Sequence, residues 1–339
     1  MLPEKIHAAL LGGAVGDAIG LPFEGLSPRR AQKMAKLPLR HHFLFGHGMV
    51  SDDTDHSVFV VQAIWRSQGD VRRFRTILAW RLRGWLLTLP AGIGMATLKA
   101  CCKLCIGWPN SAVYSAGNGP SMRSAVIGAM FADDATQRRA YVSASTHLTH
   151  SDPKALAGAL AMAEIAARLC NGEWKKRPSV LSLCNVLLEC SSEPAWLAAV
   201  TRVMGCLQSD DAMSMANSEF GGQAGVSGYT LNSVPFAIVA WYTHQGQYQQ
   251  TIEAITQAGG DVDTVAAMAG ALAGIQCGTA EIPVAWREKI CDFPHNPRYL
   301  QRLAHGTAST RFSPWLFVRS PLFMLIVLIH GFRRLLPPY

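Results

Sequence analysis

Hard oxygen donors crowd into two short stretches of this sequence, Ser51-Asp52-Asp53-Thr54-Asp55 and Ala258-Gly259-Gly260-Asp261-Val262-Asp263-Thr264. Two carboxylates at i and i+2 on a turn can point into one cavity, and the paired glycines before Asp261 let the backbone bend tightly. Four acids gathered this way repel one another unless something positive sits among them. Neither stretch contains a thiol or an imidazole, so the donor set suits Mg²⁺, Ca²⁺ or Mn²⁺ rather than zinc. Two such clusters are compatible with a two-metal site, its ions about 3.5–4 Å apart. Each stretch opens an apolar run of helical character: Val58, Phe59, Val61, Ile64 and Trp65 after the first, 265–275 after the second. Both therefore read as helix N-termini, where Ser, Thr and Asp also serve simply as caps. A cap needs only one such residue, and each stretch supplies three or more.

Other candidates carry less on their own. Glu24 lies in Leu21-Pro22-Phe23-Glu24-Gly25, where proline and glycine break the preceding helix; alone, it reads as an ordinary loop acid. The glycine-rich loop 115–123 enters a helix at 124–131, and free N–H groups at such a start can hold phosphate, although it is neither a P-loop nor a dinucleotide fingerprint. His147 and His150 end one helical run before Asp152-Pro153 starts another. Histidines in such places are usually caps or packing groups. Tyr229, after the flexible loop 221–228, reads equally as a stacking platform and as a loop anchor.

Taken in order, these pieces carry a resemblance. Gly16-Asp17-Ala18-Ile19-Gly20 with Glu24 downstream, Ser51-Asp52-Asp53-Thr54, Gly117-Asn118-Gly119-Pro120-Ser121-Met122-Arg123, Thr149-His150 and Gly259-Gly260-Asp261-Val262-Asp263-Thr264 resemble the ordered motifs of the ADP-ribosylglycohydrolase family. Five motifs in the family's order are far more specific than any one. The resemblance implies hydrolysis of an ADP-ribosyl glycosidic bond, with ADP-ribose or an ADP-ribosylated protein as partner and an arginine linkage slightly favoured over a serine-linked, small-molecule or nucleic-acid-linked one, the alternative being a non-catalytic ADP-ribose-binding module. It implies two Mg²⁺ or Mn²⁺ ions held by Ser51, Asp52, Asp53, Asp261, Asp263 and Thr264, and catalytic roles for Glu24 and Asp53. Ser115, Gly117, Asn118, Gly119 and Met122 would lie against ADP-ribose, His150 near its phosphates or ribose, and Tyr229 at the nucleoside. One position departs from the pattern. Where the family often has an acid before the Gly-Ile-Gly turn, this chain has Ala91, which removes a carboxylate that could meet a guanidinium.

The elements that must position these residues read as helices throughout. Apolar spacing predicts helices over 4–20, 54–69, 71–88, 90–107, 156–170, 178–189, 194–206 and 232–242, and no sustained alternation or hairpin turn signals a strand. The expected fold is all-α: a single multi-helix orthogonal bundle over 1–290, with an extension over 291–339. With 339 residues, 49% hydrophobic and 16% charged, the chain is folded rather than disordered. Its net charge of +8 favours an anionic ligand without naming one. In the basic stretch 28–44 the aromatics that would stack bases are sparse, so no stable nucleic-acid partner is expected. Nine scattered cysteines fit reduced thiols in a cytoplasmic protein. Cys101-Cys102-x-x-Cys105 lacks the second pair that a zinc site needs. The apolar run 322–329, flanked by Arg319, Arg333 and Arg334, is too short to cross a bilayer. It either packs on the bundle or makes a peripheral membrane contact through 315–334. The chain is expected to be a monomer.

Overall fold

The computed structural model describes residues 2–43, 45–245 and 247–334. Leu44, which closes the basic stretch, and the last five residues of the extension lie outside the described residues. The helices are α1 (Leu2–Gly20), α2 (Pro28–Met34), α3 (Asp52–Ser67), α4 (Val71–Leu87), α5 (Met95–Cys105), α6 (Gly119–Met122), α7 (Ala125–Met130), α8 (Ala135–Thr146) and α9 (Pro153–Cys170). They continue with α10 (Val180–Leu188), α11 (Pro194–Gln208), α12 (Ala212–Phe220), α13 (Thr230–Thr243), α14 (Tyr248–Ala258), α15 (Val262–Cys277), α16 (Val284–Arg287), α17 (Pro297–Ala304) and α18 (Leu316–Arg333). Among the described residues there is no strand, only isolated backbone bridges between loops, as the absence of any period-2 pattern requires.

The axis of the molecule is the antiparallel pair α1 and α15, both buried along most of their length. Small residues let the two backbones nearly touch. A Cβ added at Gly16 would sit 2.1 Å from the Ala266 carbonyl oxygen, and one at Gly12 would sit 2.3 Å from that of Gly270. This contact has a consequence for chemistry: it brings the C-terminal end of α1, with Asp17, against the N-terminal end of α15, with Asp261 and Asp263. Helices α3, α7, α9, α13 and α14 pack around that axis, and Phe59, Tyr141, Trp85, Trp196, Trp241 and Phe236 fill the space between them. Burial on this scale, at about 25 cal/mol per Å² of apolar surface, is what holds so glycine-rich a centre together.

Several local expectations meet their physical reason here. Asp152 caps α9 by accepting from the Lys154 amide at 2.9 Å, with Pro153 in the first turn. The helix expected over 124–131 is a shorter α7, preceded by the separate turn α6, which leaves Asn118 and Gly119 at a helix start. Past residue 290 the chain stays in contact with the bundle. Helix α17 packs on α1 and α3, and the inner face of α18 buries Leu316, Arg319, Ser320 and Phe323. Of the two ways open to 322–329, packing therefore accounts for one face of the helix, and the other remains exposed.

Candidate active site

Three helix ends make the floor of the site. Ser51 is the N-cap of α3, its hydroxyl accepting from the Asp53 amide. Its own amide donates to both carboxylate oxygens of Asp17, at 3.1 and 2.9 Å, and the Thr54 hydroxyl donates to Asp17 at 2.6 Å. Asp17 thus ties the end of α1 to the start of α3. Across the gap, the Thr264 and Ser51 hydroxyls both donate to Asp53 Oδ2, each at 3.1 Å, which joins α3 to α15. Asp261 stands at the N-cap position of α15 but makes no side-chain cap; its carboxylate instead accepts from the Asn118 amide nitrogen at 2.6 Å. Simple capping therefore explains Ser51 and leaves Asp261 free for other work. The turn that presents Asp261 needs glycine, since Gly260 has φ of +84° and a Cβ there would lie 2.0 Å from the Val226 carbonyl oxygen.

The electrostatics of this floor are those of crowded acid. Burial, then the charges of Asp17 and Asp52, pushes the Asp53 carboxyl well above the usual carboxylate range. Asp263 is pushed up in the same way, by burial and then by Glu24, Asp53 and Asp261, and Asp52 by burial and then by Asp17 and Glu24. Asp17 rises to about 7 through burial, although its three hydrogen bonds oppose the rise. Burial also raises Asp261 and Glu24. The N-termini of α3 and α15 offset some of this repulsion with their dipoles. Two oxygens in the cluster, Asp53 Oδ1 and Asp263 Oδ1, are buried without any hydrogen-bond partner. Raised carboxyls with unsatisfied oxygens and hydroxyl neighbours are the donor chemistry that suits a hard divalent cation. Among the described residues, no three acid, histidine or cysteine side chains form a coordination shell by themselves; the converging donors include hydroxyls.

Below the floor lies a second buried network. Asp55 accepts from His295 Nδ1 at 2.6 Å and faces Arg319 Nη1 at 3.5 Å. Arg319 also donates from Nε and Nη2 to Asp292 at 3.0 and 2.6 Å, and from Nη2 to the Val50 carbonyl. Asp292 in turn accepts from the Val50 amide at 2.9 Å. The residue just before Ser51 is therefore held at both its N–H and its C=O.

Above the floor opens a cleft of about 600 Å³. Asp52, Asp261, Asp263 and Thr264 line its base, Glu24 lines its edge beside the exposed Gly25, and Ser115, Gly117, Asn118, Gly119, Met122 and His150 line one wall. Ser51 and Asp53 sit behind that lining, reached through Asp53's bonds to Ser51 and Thr264. Tyr229 is placed differently: its backbone pairs with Gly117, while the residue is 40% exposed and is not among the cleft's lining residues. His150 donates to or accepts from Thr149 Oγ1 at 2.9 Å, and burial together with the Arg123 charge pushes it down to about 3; the imidazole is neutral. Arg123, wholly buried, braces this wall through Ser145, Thr149 and His56. Ala91 is not among the cleft's lining residues, although Gly92 and Gly94 are, and it packs against the cluster of Leu21, Phe43, Met49 and Phe323. Two groups of residues escaped the sequence reading. Asp17 stood inside a quoted motif, and its burial was the available signal; Asp292, His295 and Arg319 come from positions too distant for spacing to reveal, and they draw Asp55, read as part of the donor cluster, into their own network.

An all-helical bundle whose central pair ends in a carboxylate basin, beneath a cleft of nucleotide size, defines a helical protein with an acid-floored ligand site. The family model described as ADP-ribosylglycohydrolase matches residues 2–314, and the chain belongs to that family: it is a glycosyl hydrolase acting on ADP-ribosyl linkages. It is similar to a protein of unassigned activity from Archaeoglobus fulgidus, 31% identical over 300 residues, 86% of this chain and 93% of that one. It is also similar to ADP-ribosylhydrolase ARH3 of Gallus gallus, 25% identical over 86% of this chain and 89% of that one. ADP-ribosyl-[dinitrogen reductase] glycohydrolase of Rhodospirillum rubrum is 23% identical, over 85% and 90%. A solved chain titled "ADP-ribosylglycohydrolase-related protein complex" superposes with a TM-score of 0.66 at 22% identity, covering 91% of this chain and 99% of that one, which speaks to the fold.

Proposed function

We propose that this protein releases ADP-ribose from a modified protein by metal-dependent hydrolysis, with an arginine-linked modification the favoured substrate. The observation that carries the metal dependence is the pair of buried, partnerless oxygens Asp53 Oδ1 and Asp263 Oδ1 within a cluster of carboxyls that raise one another's pKa. Ser51, Asp52, Asp53, Asp261, Asp263 and Thr264 are the residues that would hold Mg²⁺ or Mn²⁺. When bound, the ions supply positive charge to fix the ribose hydroxyls and polarise the anomeric centre. The chain's own residues do the remainder. The Gly119 amide at the start of α6 and the neutral His150 receive the ligand's phosphates, the Ser121 and Met122 amides being engaged by the Asn118 carbonyl. Asn118 orients Asp261 through its 2.6 Å bond. Glu24, at the cleft mouth with its pKa raised by burial and by Asp261, is suited to hold a proton and pass it to or from the attacking water. The surrounding carboxylates steady an oxocarbenium-like transition state. An arginine linkage is supported by the similarity to ADP-ribosylarginine hydrolase Tri1 of Serratia proteamaculans, 26% identical over 85% of this chain, and by the acidic floor, which suits a guanidinium leaving group. Ala91 counts against it, since no carboxylate stands at that position to meet a guanidinium. Release of free ADP-ribose from arginine-linked protein in Mn²⁺ or Mg²⁺, abolished by EDTA and by Asp261→Asn, tests the proposal. Binding of ADP-ribose without release would leave a non-catalytic binding module instead.

A further inference from the structure

Helix α18 lies beyond the family match, which ends at residue 314. Its inner face is committed to the bundle. Phe323 packs with Leu21, Phe43 and Met49, and Arg319 is locked into Asp292 and Asp55. Its outer face carries Trp315, Val318, Leu322, Leu325, Ile329 and Phe332, between 43% and 68% exposed. These positions recur at steps of three and four, so they form one continuous apolar stripe along the helix. By length and composition the helix could cross a membrane, yet only 22% of it is buried in the protein. Crossing would pull Arg319 out of its two buried ion pairs, whereas lying flat leaves them intact.

The charge around the stripe selects what covers it. From residue 293 to the end of the sequence there is no Asp or Glu, and none occurs from 25 to 50, where Arg29, Arg30, Lys33, Lys36 and Arg40 stand. The two basic segments adjoin: Arg30 Nη2 donates to the Arg334 carbonyl at 2.8 Å, and the five cations of 25–50 are all exposed. A second copy of this helix would bring like charges together. An anionic surface meets an apolar stripe and a basic rim at once.

We propose that α18 is an interfacial helix that docks the protein on anionic lipid, with its apolar stripe in the headgroup boundary and Arg29, Lys33, Lys36, Arg40 and Arg333 on the lipid charges. The helix ends at the cleft. Arg334 donates to the Glu24 carbonyl at 2.7 Å, and His330 lies 3.4 Å from that of Pro22. Docking therefore holds the Glu24 rim of the site beside the membrane surface, within reach of membrane-proximal modified proteins. The docking itself rests on α18 and its rim alone and holds whatever bond the site cleaves.

The test is co-sedimentation of the full chain with vesicles of phosphatidylcholine alone or with about one third phosphatidylglycerol. The protein is expected to pellet with the anionic vesicles and not with the neutral ones, and to be released by 0.5 M salt. Leu325→Glu with Ile329→Glu alters only exposed positions, so its melting temperature should match the parent's while vesicle binding falls at least tenfold. Arg29→Ser with Lys33→Ser should weaken binding by about fivefold or more. Failure to pellet at millimolar anionic lipid overturns the proposal. So does binding that survives the double glutamate substitution, or a parent dimer in sedimentation equilibrium that the same substitution converts to monomer without any vesicle binding.

Discussion

Replacing Arg319 with Met tests whether the network beneath the site is a structural support. The guanidinium is buried and serves Asp292, Asp55 and the Val50 carbonyl at once. Burial alone would raise the Asp55 carboxyl, but Arg319's charge and the His295 hydrogen bond outweigh it and hold the group below the usual carboxylate range. Met fills the volume and strands two carboxylates in the interior. Breaking a buried pair by removing one partner costs about 3–5 kcal/mol. With an unfolding entropy of roughly 2.1 cal/mol/K per residue, a chain of 339 residues loses about 1.4 °C per kcal/mol, hence about 4–7 °C in Tm. Because Asp55 is depressed, its contribution is complete above its unfolded pKa near 4 and fades as pH falls through the lower folded value, so the deficit is greatest at neutral pH. Calorimetry of parent, R319M and R319M/D292N measures this. The third protein should regain part of the loss, since it removes one stranded charge. A loss under about 1.5 °C, or no recovery in the double variant, refutes the reasoning.

Gly16→Ala places a methyl against the Ala266 carbonyl and should cost about 1–3 kcal/mol by overpacking, read as a Tm loss with weaker Mn²⁺ binding in titration calorimetry, because α1 and α15 can no longer close on the acid floor. Glu24→Gln should lower kcat by about 10²–10⁴ with Tm unchanged; a kcat within threefold of the parent's would remove Glu24 from proton transfer. Asp17, at about 7, keeps its proton into the neutral range, burial raises the other floor carboxyls above their ordinary values, and any such protons must leave before a cation enters. The Tm gain from saturating Mn²⁺ should therefore be larger at pH 8 than at pH 6, and a gain that is equal or reversed would count against metal binding at this floor.

Much of the fold was legible because its signals are local. Helical spacing marked α3, α4 and α9, and the missing period-2 pattern excluded a sheet. Gly12 and Gly16 announced a close contact without naming α15 as the partner, since any small-residue face could meet them. The acid clusters were legible as a site because hydroxyls and carboxylates at i and i+2 are redundant for capping. What spacing could not give was connection. Asp17 anchors Ser51 and Thr54, yet a single aspartate on a helix has no sequence mark of its partners. Arg319 was read only as a flank of an apolar run, and it proves to reach Val50, whose neighbour begins the cluster. Tyr229 was found with its loop, and the pairing of its backbone with Gly117 is a contact that no side-chain pattern encodes.

The most direct measurement is release of free ADP-ribose from arginine-linked, serine-linked and nucleic-acid-linked substrates, by the parent and Asp261→Asn, in Mn²⁺, Mg²⁺ or EDTA. Release is expected from arginine-linked protein by the parent with either metal, none in EDTA, and none from the variant although it melts within a few degrees of the parent. Undiminished release in EDTA, or by Asp261→Asn, would contradict this expectation.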